Sequence, residues 1–217
     1  MLTLSLGGRE QTSLEVLALG AHADDIEIGC GGTILRLADA LQNCEINWVV
    51  LGADGERAEE ARRSGEAFLE RAGGRRLIIE GFKDGFFPYS GSGVKDFFEW
   101  LKGEVAPDLI LTHHRMDLHQ DHRLVSELTW NTFRDHLILE YEIPKYDGDL
   151  GSPNVFVHLS ASIVQLKIEK IRAHFASQAE RRWFTDDVFL STLRLRGMES
   201  NSPSTYAEGF YGRKLVL

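Results

Sequence analysis

Cysteine is nearly absent from this chain: Cys30 and Cys44 are its only two, and they form no CxxC pair. A disulfide framework and a four-sulfur metal site are both excluded, and a reducing, cytoplasmic setting is expected. Long apolar runs are missing as well. No stretch approaches the roughly 18 apolar residues of a membrane helix, and Met1 to Glu10 lacks the basic and apolar regions of an export signal. Basic stripes are also lacking, and a formal net charge of -9 argues against nucleic acid or an anionic membrane as the partner. With 217 residues and no compositional break, one domain over 1–217 is expected.

What is present is alternation. The apolar run Val16–Leu19 leads into Gly20-Ala-His-Ala-Asp-Asp-Ile-Glu-Ile-Gly-Cys-Gly-Gly-Thr33, read as a tight loop, and the stripe Ile34, Leu35, Ala38, Leu41 follows as a helix. Further strands are expected at Ile46–Leu51, Leu77–Ile79 and Asp108–Thr112, separated by helical stripes at Ala58–Ala72, stopped by Gly73-Gly74, and at Val94–Leu101. Such alternation predicts a Rossmann-like, doubly wound α/β fold with a mainly parallel sheet. Leu124–Thr132 continues it as a helix. Past Leu137–Leu139, Val155–Val157 and the stripe Val164–Phe175 the pattern is less regular, and Tyr141–Pro153 reads as a surface loop near the site.

The chemistry concentrates at two strand ends. His22, Asp24 and Asp25 follow the first strand; His113, His114, His119 and His122, half of the eight histidines, follow the fourth, with Asp117 and Asp121 among them. Strands one and four become neighbours at the switch point of a doubly wound sheet, so the two loops are expected to share a crevice. Two imidazoles and a carboxylate with an open position suit a catalytic zinc. They also suit non-haem iron(II). Taken singly, each group has a plainer explanation: Asp24 and Asp25 as helix N-terminal acids, Asp117, Asp121 and His122 as a helix cap and first turn. Gly29–Gly32 lacks the GxGxxG spacing, and the carboxylates before it would repel a pyrophosphate.

The segments Ala21–Thr33 and Asp117-Leu-His-Gln-Asp-His122 resemble the two signature motifs of the LmbE-like, or PIG-L, family of zinc-dependent N-deacetylases. Gly55-Glu56 with Arg63 and Glu66, the Gly81–Gly85 loop with Asp84, Ser177-Gln178, Arg196-Gly197 and Tyr206–Phe210 are similar to weaker landmarks in the same order. The resemblance implies removal of an N-acetyl group from an amino sugar or sugar conjugate. It implies His22, Asp25 and His122 as metal ligands, Asp24 as general base, His119 and Asp121 acting around it, and Arg63 and Asp84 facing substrate. Zinc is the implied ion, with iron(II) the alternative. A small amino-sugar compound is the expected partner, and a homo-oligomer is left open. Ala23 stands where the family usually has proline, which loosens the loop without removing a ligand. The competing reading from another class is a catalytically silent protein of the same fold that binds a sugar or nucleotide sugar.

Overall fold

The computed structural model describes residues 13–41 and 43–216; the expectation for Met1–Glu10 lies outside them. Seven strands form one sheet in the order β3-β2-β1-β4-β5-β7-β6. Strands β1 (Leu14–His22), β2 (Cys44–Gly52), β3 (Gly74–Ile79), β4 (Leu109–His113) and β5 (Leu137–Tyr141) are parallel. β7 (Ala207–Gly212) runs antiparallel between β5 and β6 (Val155–His158). β1 therefore pairs with both β2 and β4, and the direction of winding reverses there, as the alternation predicts.

Both faces of the sheet are covered, so its central strands are apolar on both sides. Val16 and Ala18 of β1 pack into one core; Leu17, Leu19 and Ala21 pack into the other, following the two-residue period of a strand. The first core holds side chains of α1 (Asp25–Ala40), α2 (Gly55–Phe68), α5 (Ala161–His174) and α6 (Asp186–Glu199). The second holds those of α3 (Gly91–Glu104) and α4 (Gln120–Thr132).

Three sequence expectations are corrected. The loop expected over Gly20–Thr33 is far shorter, because α1 begins at Asp25 and Gly29, Gly31 and Gly32 lie inside it. Helix interiors disfavour glycine, but here the missing Cβ permits close packing: a Cβ at Gly29 would lie 2.1 Å from Tyr141, and one at Gly32 would lie 2.5 Å from Leu159 and 2.9 Å from Glu208. The α2 stripe ends at Phe68, before Ala72. Tyr141, placed by sequence in a surface loop, ends β5 fully buried, with its hydroxyl donating to Leu19 O at 2.6 Å.

Glu208 of β7 fixes α1 from behind. Its carboxylate accepts from Gly32 N, Thr33 N and Thr33 Oγ1 at 2.6 to 2.8 Å, and Lys167 of α5 donates to it at 2.6 Å and to Ile28 O at 2.7 Å. The helix that carries the first acidic pair is thus held by the C-terminal quarter of the chain. Gly29→Ala is expected to cost about 1–3 kcal/mol of unfolding free energy by forcing Tyr141 aside. Gly103→Ala in α3, where no atom lies within 4 Å of the added Cβ, should cost nothing; denaturant titration of both variants compares them.

Candidate metal centre

β1 ends at His22 and α1 starts at Asp25, so the two residues between helix and strand put His22, Asp24 and Asp25 at the carboxyl edge of the sheet. Beyond β4 the chain makes a turn at His114–Asp117 and enters α4 with His119 as N-cap, which places Asp121 and His122 in the first helical turn. Both readings of these residues therefore hold: they are helix-start residues and they face the first loop.

The two loops converge on three atoms. His22 Nδ1 lies 3.2 Å from His122 Nε2 and 3.4 Å from Asp25 Oδ2, and His122 Nε2 lies 3.5 Å from the same oxygen. Donors about 2.0–2.1 Å from a tetrahedral zinc stand about 3.3 Å apart, so this nitrogen–nitrogen–oxygen set has the spacing such an ion requires. Three other groupings place ligand-type atoms near one another: Asp25 with His113 and His122, His22 with His119 and His122, and His22 with Asp84, His119 and Asp121. His113 Nε2 also reaches Asp25 Oδ2, at 3.2 Å, but the same nitrogen accepts from Ala21 N at 2.9 Å and has the Tyr141 hydroxyl 3.3 Å away. His119 Nδ1 accepts from Asp121 N at 3.3 Å.

Carboxylates behind the imidazoles set which nitrogen points inward. Asp117 Oδ2 lies 3.0 Å from His122 Nδ1, so a proton held on Nδ1 leaves Nε2 as a lone-pair donor. Asp121 Oδ2 does the same for His22 Nε2 at 3.2 Å, with Asp84 Oδ1 at 3.0 Å. Asp121 is itself held by Gly85 N at 2.6 Å and Phe87 N at 3.1 Å, and Gln120 Nε2 donates to Gly85 O, tying the Asp84 loop to the site.

Charge in this buried place is balanced locally. Burial and nearby His113 lower the His122 pKa to about 4, keeping the ring neutral in neutral solution. Burial works against ionisation of Asp25, but His122 and His113 hold its carboxyl well below the usual range. His22 is raised despite burial, because Asp121, Asp25 and Asp84 favour positive charge there; the same field favours a cation between the donors. Burial opposes ionisation of Asp117 too, yet His122 and Lys145, whose Nζ is 2.8 Å from Oδ2, keep its carboxyl low. Burial pushes Asp24 up, and Arg57, 3.1 Å away, pulls it back.

His22, Asp24, Asp25, Asp84, His119, Asp121 and His122 therefore share one site. Arg63 does not join them: its side chain is exposed on α2, and Arg57 is the arginine that reaches Asp24. The Arg-x-x-Glu spacing occurs twice on this helix, at 57/60 and 63/66, and the structure distinguishes them by burying Glu60 and half-burying Arg57. Asp117 opens the second motif but has no role assigned by the sequence, and Lys145 has no local signal; the structure places Asp117 behind His122 and Lys145 against Asp117. Among the aromatics of these loops, Phe87 and Tyr141 are core residues, while Phe86, Tyr89 and Tyr146 are exposed.

The family described as GlcNAc-PI de-N-acetylase, PIG-L, matches residues 17–133, which span the whole cluster except Lys145. The chain belongs to the PIG-L family. The protein named uncharacterized deacetylase YaiS of Escherichia coli K12 is 30% identical over 172 residues, covering 73% of this chain and 89% of that protein. Among solved structures, the N,N'-diacetylchitobiose deacetylase of Pyrococcus horikoshii shares the fold at TM-score 0.71 and 22% identity, over 93% of this chain and 84% of that one. GalB, a 4-carboxy-2-hydroxymuconate hydratase of Pseudomonas putida KT2440, shares it at TM-score 0.69 and 17% identity, over 94% and 98%. One fold thus carries two reactions, and side chains rather than topology must decide between them.

Asp117→Asn is expected to weaken zinc affinity about 10- to 100-fold by releasing the His122 ring. Competition with a chromophoric chelator measures it, and an unchanged affinity would remove Asp117 from that role.

Proposed function

We propose that this PIG-L protein hydrolyses the N-acetyl group of an amino sugar or sugar conjugate, with zinc held by His22, Asp25 and His122. The reading is carried by the triangle of donor atoms at 3.2, 3.4 and 3.5 Å, drawn from loops one hundred residues apart. When bound, the ion supplies Lewis acidity toward the amide carbonyl and lowers the pKa of the attacking water. Asp24, next in sequence to one ligand and turned toward Arg57, is free of that ligand set and takes the proton of the water as a C–O bond forms. His119, with its ring centroid 4.9 Å from that of His22, stands where a donated hydrogen bond stabilises the charge gathering on the carbonyl oxygen. The C–N bond then breaks, and the proton taken by Asp24 can pass to the amine, releasing acetate and a free amino sugar.

Asp84 belongs to the substrate side of this arrangement: its side chain is 76% exposed while one oxygen touches His22. Phe86, Tyr89 and Tyr146 offer faces on which a sugar ring can stack. Support for an amino-sugar substrate also comes from the relatives, which are named for de-N-acetylation of GlcNAc-PI and of diacetylchitobiose. The silent-binding alternative gives no task to Asp24 or to the inward-facing nitrogens of His22 and His122.

Acetate release from a panel of N-acetyl amino sugars tests the reading. Zinc-loaded protein should release acetate, lose the activity to a chelator and regain it with zinc. Asp24→Asn should keep its zinc while turnover falls at least about 100-fold, and His122→Ala should lose zinc and activity together. Full zinc in His122→Ala, or full turnover in Asp24→Asn, would contradict the assigned roles.

A further inference from the structure

Asp24 owes its surroundings to residues far from it in sequence. Arg57, in the first turn of α2, presents Nη2 to Asp24 Oδ2 at 3.1 Å and Nη1 to Glu60 Oε2 at 3.0 Å. The same Nη1 donates to Ser177 Oγ at 3.3 Å, and the guanidinium lies 5.3 Å from the Phe175 ring centroid. Glu60, one turn further along α2, is 1% exposed and accepts from Ser177 N at 2.8 Å and from Ser177 Oγ at 2.6 Å. Ser177 belongs to the short 3-10 turn Ala176–Gln178 that follows α5, beyond the span matched by the family. One hydroxyl thus donates to Glu60 and accepts from Arg57, a double task that only an amphoteric group performs.

We propose that Glu60 and Ser177 are positioning residues of the active site, holding Arg57 so that its guanidinium fixes the carboxylate of Asp24; the inference rests on Asp24 acting as the base described above. Arginine is a long side chain, and its planar fork gains direction only when several of its N–H groups are engaged at once. Here Glu60 takes one edge, the Phe175 ring backs the plane, and Asp24 receives the other edge. With Oδ2 held by Arg57, the plane of the Asp24 carboxylate is set, and Oδ1 is the oxygen left for the proton. Two buried carboxylates on one guanidinium would be costly if either anchor slipped, because the freed anion would stay desolvated. The turn after α5, though none of its three residues is buried, therefore helps to position the catalytic base.

A merely structural clamp would join α2 to this turn without regard to Asp24, and its loss would lower stability while leaving kcat of the folded enzyme alone. The test is steady-state kinetics of the zinc-loaded full chain carrying Ser177→Ala, Ser177→Thr or Glu60→Gln, each alone and combined with Arg57→Lys, with bound zinc measured throughout. Ser177→Ala and Glu60→Gln should lower kcat on the order of tenfold, with KM changed by less than about twofold and zinc content unchanged. Ser177→Thr, which restores the hydroxyl, should recover most of the rate, and neither loss should add to that of Arg57→Lys. If Glu60→Gln does not fold, the Ser177 pair carries the comparison. A Ser177→Ala enzyme as fast as the parent, or one that loses the same factor on the Arg57→Lys background, would overturn the proposal. Failure of the parent protein to release acetate from any N-acetyl sugar would instead overturn the deacetylase reading itself.

Discussion

Three electron-pair donors, His22 Nδ1, Asp25 Oδ2 and His122 Nε2, meet within 3.5 Å of one another in a buried place, and the rest of the molecule can be understood as what makes that tolerable. Such donors repel one another unless protons or a cation lie between them. Their approach therefore needs a rigid frame. The frame is the parallel pairing of β1 with β4, in which Val16, Leu17 and Ala18 face Leu109, Ile110 and Leu111. Because the two strands run the same way, both of their carboxyl ends open on one edge, and residues a hundred positions apart become neighbours.

Around the donors, a ring of carboxylates fixes direction. Asp117 and Asp121 each hold the outward nitrogen of one imidazole, and each is tied in turn to the backbone or to a lysine: Asp121 to Gly85 N and Phe87 N, Asp117 to His119 N and Lys145 Nζ. The result is an inner set whose lone pairs point the same way, at the expense of many buried charges that must be matched one by one. Behind α1 the matching continues in the Lys167–Glu208 pair, which accounts for the use of the last strand although it contributes no donor. No helix among the described residues is long and apolar enough to cross a membrane.

Much of this was legible in the sequence. Alternating apolar strands and helical stripes predict the winding and hence the neighbourhood of His22 and His122, and the two motifs hold six residues, His22, Asp24, Asp25, His119, Asp121 and His122, that lie together in the structure. Reading failed where local preference was overruled by contacts distant in sequence. Glycines 29, 31 and 32 suggest a loop, yet Tyr141, Phe68 and Glu208 need the space of a missing side chain on a helix. Arg63 and Arg57 have the same spacing to a glutamate, and nothing local reveals which pair turns inward. Ser177 stands with Gln178 among the weaker family landmarks, but its partner Glu60 is visible only once α5 delivers it there. The antiparallel insertion of β7 between β5 and β6 depends wholly on pairing between strands far apart in the chain, which no short window contains.

A crystal grown or soaked with zinc, with anomalous data collected on both sides of the zinc absorption edge, tests the central claim most directly. The account predicts a single strong peak enclosed by His22 Nδ1, Asp25 Oδ2 and His122 Nε2, with Asp24 beside it and outside the ligand set. A peak held by His113 in place of His22, or no peak at this edge of the sheet in protein that otherwise releases acetate, would contradict it.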